Sequence, residues 1–378
     1  MADHSLIEWT DATWQPITGC SVVSPGCTNC YAMKLAGTRL KHHESRKGLT
    51  RDSKAGPVWT GEVRLNEQWL DQPLRWKRSR KIFVCAHGDL FAENVPDEWI
   101  DRVFAVMALA TQHTFQVLTK RADRMRQYVT SLHNSRALAP IVFDLIKSWE
   151  LEPRKMTLAR TLPNVWLGVS AEDQKRADER IPDLLATPAA VRFVSAEPLL
   201  GPLHLDDFCD GHKFVDWLRG NWWHDDPDGP GAISRGHERL DWVIVGGESG
   251  PGSRPMHPAW VRSLRDQCAA AGTAFFMKQW GEWAPICSMA DGQSDSYFAP
   301  PPARDPEAVR RCKVAQCVLH ADGERFDLDA YSRHVSPGSS RRIFESGSSS
   351  MLMFSIGKTA AGRQLDGVEY SAMPEVAW

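Results

Sequence analysis

Short apolar, β-branched runs recur along this chain, and each ends in a cluster of polar residues that amphipathic helical spacing follows. The runs lie at 81–86, 114–118, 165–169, 191–194, 240–245 and 273–277. The segment 13–18 precedes them and predicts a first short strand. Near-continuous apolar strands that alternate with helices are typical of parallel sheets that are buried on both faces.

The same alternation predicts the helices and the fold class. Helical spacing covers Tyr31–Leu40, Pro96–Ala110, a segment ending near Leu132, Gln174–Leu185 and Pro258–Ala271. With six or seven such units, we predict an α/β protein built as a full or partial (β/α) barrel of about six to seven parallel strands. A doubly wound open sheet is the alternative.

Two segments interrupt the alternation. Residues from about 203 to 239 are acidic and aromatic, and residues 284–350 have an irregular composition. We therefore predict a barrel-like domain over 1–283 that carries the first insertion as a solvated loop. The second insertion follows it, and a C-terminal motif over 351–378 packs on the barrel.

Composition and charge narrow the class of protein. The chain has 378 residues, of which 42% are hydrophobic and 24% charged, as in ordinary globular proteins. No apolar run approaches the length of a bilayer span, and Met1–Ser5 lacks the features of a signal peptide, so we expect a cytoplasmic protein with reduced cysteines and no membrane partner. A net charge of -2 leaves only a local basic groove as a means of binding nucleic acid.

Three cysteines lie close together between Gly19 and Tyr31. The Ser-Pro-Gly turn at 24–26 folds Cys20 back towards the pair Cys27 and Cys30. Thiolates select zinc or iron–sulfur centres, and a closed structural zinc site needs four ligands. Three thiolates leave one metal position open. The alternative is a structural zinc site that is completed by Cys312, Cys317, His42 or His43.

Polar residues stand at the carboxyl ends of the predicted strands, where parallel α/β folds form their active sites. The loop that carries the three cysteines, residues 19–31, is called the thiol loop. It follows the first strand, so topology places it at the same edge of the sheet, the rim formed by the carboxyl ends of the strands. Gly246 and Gly247 would let a ligand contact the backbone, and Glu248 would bind a ligand's amino or hydroxyl groups. The other rim residues are Asp89, Lys120, Ser170, Glu172, Glu197, Ser249 and Lys278.

Several motifs, spread over nearly the whole chain, resemble those of one known family. They are Trp14–Cys20, Ser24–Ala32, Leu118–Arg121, Trp166–Ser170, Glu197–Gly201, Val245–Gly250, Lys278–Gly281 and Gly357–Gly367. Together they resemble the phage Gp37/Gp68 family, a domain of unknown function also called the three-Cys-motif proteins. That family is regarded as similar to radical S-adenosylmethionine (SAM) enzymes.

The resemblance implies that Cys20, Cys27 and Cys30 hold a [4Fe–4S] cluster whose fourth iron binds SAM. In such enzymes an electron from the reduced cluster cleaves the C–S bond of SAM, and the 5′-deoxyadenosyl radical abstracts hydrogen from a substrate. It also implies two sets of site residues. The catalytic set is Asp89, Lys120, Glu197 and Lys278, and the cofactor-binding set is Tyr31, Ser170, Glu172, Gly246, Gly247, Glu248 and Ser249.

The thiol motif departs from the usual radical SAM pattern. That pattern is Cys-x3-Cys-x2-Cys with an aromatic residue before the last cysteine, whereas here the first gap holds six residues and Asn29 occupies the aromatic position. Tyr31 would take over the packing against adenine. The implied partners are an electron donor and a substrate of unknown identity, for which a phage setting makes a nucleic acid or a nucleotide one candidate. The alternative function is a zinc-stabilised, non-catalytic phage accessory or nucleic-acid-associated protein.

Overall fold

A seven-stranded parallel sheet forms the centre of the protein. The computed structural model describes residues 5–135, 138–151, 156–211, 213–226, 229–230, 233–301, 303–305, 311–328 and 349–375. In chain order the strands are β1 (Ala12–Trp14), β2 (Lys81–Val84), β3 (Thr114–Thr119), β4 (Val165–Ser170), β5 (Val191–Ala196), β6 (Trp242–Gly246) and β7 (Ala274–Gln279). Every neighbouring pair in the sheet is parallel.

The strand order distinguishes the two folds that the pattern allows. A doubly wound sheet reverses its strand order at a switch point. Here the order runs from β1 at one edge to β7 at the other in the order of the chain. The α/β class and a parallel half-barrel of seven strands are therefore confirmed, and the doubly wound alternative is wrong.

Helices provide most of the connections between strands. They are α1 (Tyr31–Gly37), α2 (Glu67–Leu70), α3 (Gln72–Arg75), α4 (Asp97–Leu109), α5 (Ala122–Ser135), α6 (Leu138–Ser148), α7 (Gln174–Leu185), α8 (Pro258–Ala271) and α9 (Lys358–Ala361). The predicted bounds of α7 and α8 are confirmed, while α1 ends before Leu40. None of the helices in the described ranges is long and apolar enough to cross a membrane.

Helix α6 is absent from the sequence prediction. Its buried residues Leu138, Val142 and Leu145 recur with helical spacing, so the signal was present. The helix packs beside α4 in the large core cluster, to which Leu138 and Val142 belong.

The two faces of the sheet pack against different parts of the chain. Val243 and Val245 of β6 lie in the large cluster that also contains the buried faces of the helices. Trp242 and Ile244 lie in a second cluster that contains no residue from a described helix. Successive side chains of a strand point to opposite faces, so the sheet is covered on both sides. The second cluster is completed by Trp9, Trp166, Val191, Phe193 and Phe276.

Both insertions contain antiparallel strands, which corrects the prediction of a solvated loop and an irregular segment. Phe208–Asp210, Lys213–Asp216, Asn221–Asp226 and Gly229–Pro230 form one sheet. Trp283–Pro285, Gln316–Leu319, Arg325–Asp327 and Met351–Ser355 form the other. Residues 302, 306–310 and 329–348 of the second insertion lie outside the described residues.

Cross-strand aromatic packing explains the first of these sheets. Phe214 and Trp223 lie opposite each other on adjacent strands, and their rings stack with centroids 5.7 Å apart. Such pairs stabilise antiparallel sheets. The acidic residues that surround them led to the prediction of a solvated loop. The sheet was missed because the sequence does not show which strands will pair.

Shorter elements complete the fold. Ile17–Thr18 pairs with Arg64–Leu65, and Thr50–Ser53 pairs with Gly56–Trp59. Three short 3-10 helices lie at Pro25–Cys27, Ile286–Ser288 and Gln293–Tyr297.

The C-terminal segment covers the open edge of the sheet at β7. The backbone N–H of Met277 donates to the Tyr370 carbonyl at 3.0 Å, and that of Trp280 donates to the Gly362 carbonyl at 3.0 Å. An edge strand presents unpaired backbone groups, and these hydrogen bonds satisfy them. Residues 376–378 of the predicted C-terminal motif lie outside the described residues.

Truncation of Ile244 tests the aromatic face of the sheet. Ile244 is 0% exposed, so Ile244→Ala should lower the free energy of unfolding by about 2–5 kcal/mol through lost burial and a residual cavity. Urea denaturation measures the change. Ile286→Ala, at a position that is 40% exposed, is the matched control and should stay within about 0.5 kcal/mol of wild type. Equal losses in the two variants would contradict this packing.

Candidate active site

A cavity of about 460 Å³ lies at the carboxyl ends of the core strands. Its wall includes residues at or just after the carboxyl ends of β2 to β7 and residues of the thiol loop, residues 19–31. All of the predicted site residues line it except Glu172 and Gly246. The residues brought together in this way are Cys20, Cys27, Cys30, Tyr31, Asp89, Lys120, Ser170, Glu197, Gly247, Glu248, Ser249 and Lys278.

Local backbone geometry sets the course of the thiol loop. Gly19 has a φ of 98°, and a Cβ there would lie 2.2 Å from the Glu62 carbonyl oxygen, so only glycine fits. The 3-10 turn Pro25–Cys27 follows, and Cys30 directly precedes α1. The Cys27 side chain is buried, whereas those of Cys20 and Cys30 are half-buried.

Glu172 holds the middle of the thiol loop. Its Oε1 accepts the backbone N–H of Gly26 at 3.0 Å, and its Oε2 pairs with Arg180 at 3.0 Å. A Cβ at Gly26 would lie 2.9 Å from the Glu172 carboxyl carbon, so the loop needs glycine there. Burial alone would raise the pKa of Glu172, but Lys120 and Arg180 hold it below its ordinary value. Although we predicted a cofactor contact for Glu172, its carboxylate is used by the loop.

Glu248 holds the end of the same loop. Its Oε2 accepts from the Asn29 amide at 2.9 Å, and its Oε1 accepts from Arg254 at 2.7 Å. Arg254 also donates to the Pro25 carbonyl at 2.9 Å. Burial would raise the pKa of Glu248, but the hydrogen bonds from Arg254 and Asn29 lower it. Asn29, which stands where an aromatic residue was expected, thus links the loop to the end of β6.

Neighbouring protein atoms account for the two glycines after β6. A Cβ at Gly246 would lie 3.2 Å from the Glu197 carboxyl carbon, and one at Gly247 would lie 1.9 Å from the Trp280 carbonyl oxygen. Gly247 therefore requires glycine, whereas a side chain at Gly246 would be tight against Glu197. Of the two, only Gly247 also lines the cavity.

The carboxylate of Asp89 orients the side chain of Arg121. It accepts from the Thr119 hydroxyl at 2.7 Å, from the Lys120 backbone N–H at 3.1 Å and from Arg121 at 3.1 Å. Arg121 in turn lies 3.4 Å from the sulfur of Cys20. This predicted catalytic carboxylate is therefore occupied by the chain itself, and it orients an arginine towards a thiol.

The surroundings of Cys20 raise the pKa of its thiol. Burial raises its pKa to about 12, Asp89 and the other two thiols add to the rise, and Arg121 opposes it. The thiol is accordingly protonated near neutral pH in the metal-free protein. Metal binding here must release that proton.

Lys278 and Glu197 form an ion pair within the cavity. The Lys278 Nζ lies 2.5 Å from the Glu197 Oε1, and both side chains are largely buried. Lys120 also lines the cavity but makes no ion pair with any described residue. A third lining lysine, Lys358, pairs with Glu8 at 2.9 Å, so Lys120 is the unpaired lysine of the cavity among the described residues.

Three buried polar atoms of cavity residues lack a hydrogen bond in the described structure. They are the Trp9 Nε1, the Ser249 Oγ and the Gln279 Oε1. A buried polar atom without a partner costs free energy, so such atoms are suited to binding a ligand.

Sequence reasoning missed several residues of this cavity. Arg121 stands directly after Lys120 in a motif that was noted, and only its contact with Cys20 distinguishes it. Cys85 follows β2 with a φ of 56°, and its buried thiol lines the cavity. Trp9 and Phe83 form an aromatic wall with ring centroids 4.8 Å apart. No short-range sequence signal places Arg121, Cys85 and Trp9 in one site.

Within the described ranges, no group of three or more His, Cys, Asp or Glu side chains could hold one metal ion as they stand. The three thiols share a cavity without converging on one point. The proposed extra zinc ligands Cys312, Cys317, His42 and His43 do not line that cavity.

Fold and cavity together define a parallel α/β half-barrel protein with a candidate active site at the carboxyl ends of its strands. The chain belongs to the DUF5131 family of proteins of unknown function, which it matches over residues 4–374. No curated protein and no solved structure matches it.

Acid should weaken the attachment of the thiol loop. Because the pKa of Glu172 lies below its ordinary value of 4.5 in the folded protein, its contribution to stability is present above that pH and is lost as the pH falls through the folded pKa. Glu172→Gln should be less stable than wild type near neutral pH, by roughly 1–3 kcal/mol. It should also lose less stability on acidification, as measured by urea midpoints over a pH series.

The exposed substitution Glu44→Gln is the control and should keep the wild-type pH dependence. An unchanged pH dependence in Glu172→Gln would show that this carboxylate does not hold the loop.

Proposed function

We propose that this protein is an iron–sulfur enzyme of the radical SAM type, in which Cys20, Cys27 and Cys30 hold a [4Fe–4S] cluster. The proposal includes the finer family assignment, that the chain is a three-Cys-motif protein of the phage Gp37/Gp68 type. The cluster and SAM, when bound, would supply one-electron chemistry that starts with reductive cleavage of SAM. An external electron donor is then required.

One observation supports this proposal above the others. Three thiols from a single loop line the same cavity as the polar ends of six core strands. A site that only stabilised the fold would have no need of a cavity lined by lysines, carboxylates and serines. A shared cavity brings a redox centre within reach of a bound substrate.

The donor set favours a cluster over a single zinc ion. A zinc site needs four ligands around one ion, with each sulfur about 2.3 Å from it. In a four-iron cluster each cysteine binds a different iron atom, so the sulfurs need not converge on one point. Three thiols that line one cavity without forming a single-ion group suit the second arrangement better.

Other cavity residues have the chemistry to bind and orient ligands. We assign Ser249 and Gln279 to hydrogen bonds with SAM, since each has a buried polar atom without a partner in the described structure. Lys120 would bind an anionic group of SAM. Ser170 and Tyr31 line the same cavity, and the Tyr31 hydroxyl donates to the Ala86 carbonyl at 2.6 Å, which orients its ring.

Lys278 and Glu197 are assigned to the substrate. Their ion pair places a donor beside an acceptor, so the Lys278 Nζ would donate a hydrogen bond to a substrate oxygen while Glu197 holds the lysine in position. The apolar side chains of Trp9, Phe83 and Leu118 would exclude water. The half-buried Phe83 ring would also stack on a planar group, which favours a nucleotide or a nucleic acid as substrate.

Metal analysis tests the proposal. Protein purified without oxygen should contain about four irons per chain with matching sulfide. Cys27→Ala should lose the iron and keep its fold by circular dichroism. Cys209→Ala, at an exposed cysteine outside the cavity, is the control and should keep the iron. Stoichiometric zinc without sulfide would reject the cluster and favour the structural zinc alternative.

SAM binding tests the role of Lys120. A hydrogen bond to a charged group contributes about 1.5–3 kcal/mol, so Lys120→Met should weaken SAM binding at least about tenfold. Anaerobic titration calorimetry on the iron-loaded protein measures the affinity. The exposed substitution Lys54→Met should leave it unchanged. Equal affinities in wild type and Lys120→Met would remove Lys120 from the SAM site.

A further inference from the structure

We infer that Arg121 is a positioning residue of the metal centre, which donates an N–H···S hydrogen bond to Cys20 and thereby makes the bound cluster easier to reduce. The inference deepens the proposed function and rests on it for the cluster. The contact between Arg121 and Cys20 does not depend on the cluster.

The guanidinium of Arg121 is fixed in one orientation. The residue is 5% exposed, and it immediately precedes α5. Its Nη1 lies 3.4 Å from the Cys20 Sγ and 3.1 Å from the Asp89 Oδ2. Its Nε and Nη2 donate to the two carboxylate oxygens of Glu93 at 3.0 and 3.1 Å, and Nη2 also donates to the Ser21 carbonyl at 3.1 Å.

The partners of Arg121 are themselves held in place. Asp89 accepts from Thr119 and from the backbone N–H groups of Phe91 and Lys120. A planar guanidinium with carboxylates on two sides keeps its fork geometry, which lysine does not reproduce. The N–H that faces Cys20 is thus set by the fold before any metal binds.

The contact between Arg121 and Cys20 would affect the reduction potential of a cluster bound to that thiolate. Hydrogen bonds to the ligand sulfurs and nearby charges set the reduction potentials of iron–sulfur clusters. A donor and a positive charge at the sulfur stabilise the more negative reduced state. Arg121 is the only charged side chain, in the part of the chain that the structure describes, that hydrogen-bonds to any of the three thiols.

Arg180 provides a matched control. It is likewise buried, at 6% exposed, and likewise pairs with a buried carboxylate, since it lies 3.0 Å from Glu172. Through Glu172 it also supports the thiol loop, but it makes no hydrogen bond to a thiol. Arg180→Lys therefore disturbs the loop without removing an N–H···S bond.

The first experiment compares reduction potentials. Arg121→Lys, Arg121→Met and Arg180→Lys are prepared with the wild type, loaded with iron and sulfide without oxygen, and titrated by spectroelectrochemistry. Arg121→Lys should shift the midpoint potential of the cluster by about 59 mV to more negative values for one electron. This shift corresponds to an about tenfold lower ratio of reduced to oxidised cluster at the wild-type midpoint. Arg121→Met should shift further in the same direction, and Arg180→Lys should shift little.

The second experiment needs no metal and no activity. Iodoacetamide is added to the metal-free proteins at one fixed pH, and peptide mass spectrometry measures the modification rate of Cys20 relative to Cys27 in the same molecules. Loss of Arg121 should change this ratio severalfold, because its guanidinium packs against the Cys20 sulfur and hydrogen-bonds to it. Arg180→Lys should leave the ratio unchanged.

The outcomes separate the two proposals. If no protein, wild type included, takes up iron and sulfide, the proposed function fails and the alkylation ratio alone decides the contact to Cys20. If the cluster forms but Arg121→Lys matches wild type in potential and in ratio, the role of Arg121 is overturned while the cluster stands. Equal shifts in Arg121→Lys and Arg180→Lys would assign the effect to loop position and would also overturn it.

Discussion

Buried carboxylate–arginine pairs hold the thiol loop against the ends of the strands. The loop has one 3-10 turn and few other backbone hydrogen bonds, so side chains from elsewhere in the chain also hold it. Glu172 accepts the backbone N–H of Gly26, Glu248 accepts from the side-chain amide of Asn29, and both carboxylates are almost fully buried. A buried carboxylate is tolerated only when it is paired, because an uncompensated charge in the interior is costly.

One arrangement recurs at three of the core strands. Asp89 follows β2 and pairs with Arg121, Glu172 follows β4 and pairs with Arg180, and Glu248 follows β6 and pairs with Arg254. Each pair reaches the thiol loop at a different place, near Cys20, Gly26 and Asn29 respectively. The loop is therefore attached to alternate strands of the half-barrel, which fixes the three thiols relative to the cavity. Glu197 follows β5 and Lys278 lies near the end of β7; within the described residues, their ion pair makes no hydrogen bond to the loop and stays available to a ligand.

Sequence reasoning predicted the sheet well and the site residues only in part. The apolar runs show the parallel strands because strands that are buried on both faces are apolar throughout, and strand ends in parallel folds meet at one edge. That argument grouped Asp89, Glu197, Lys278 and the thiols correctly. It could not separate carboxylates that face a ligand from carboxylates that hold a loop, since both kinds stand one or a few residues after a strand.

The amino-acid sequence by itself determines the order of strands and helices, the short spacing of Cys20, Cys27 and Cys30, and the rim on which they lie. These properties follow from periodicity and from the chirality of parallel connections, which are local or general rules. Only the tertiary structure decides that Arg121 contacts Cys20, that Gly26 leaves room for Glu172, and that the acidic insertion folds as a sheet. These depend on contacts between residues far apart in the chain, and such contacts exist only once the strands have been brought together.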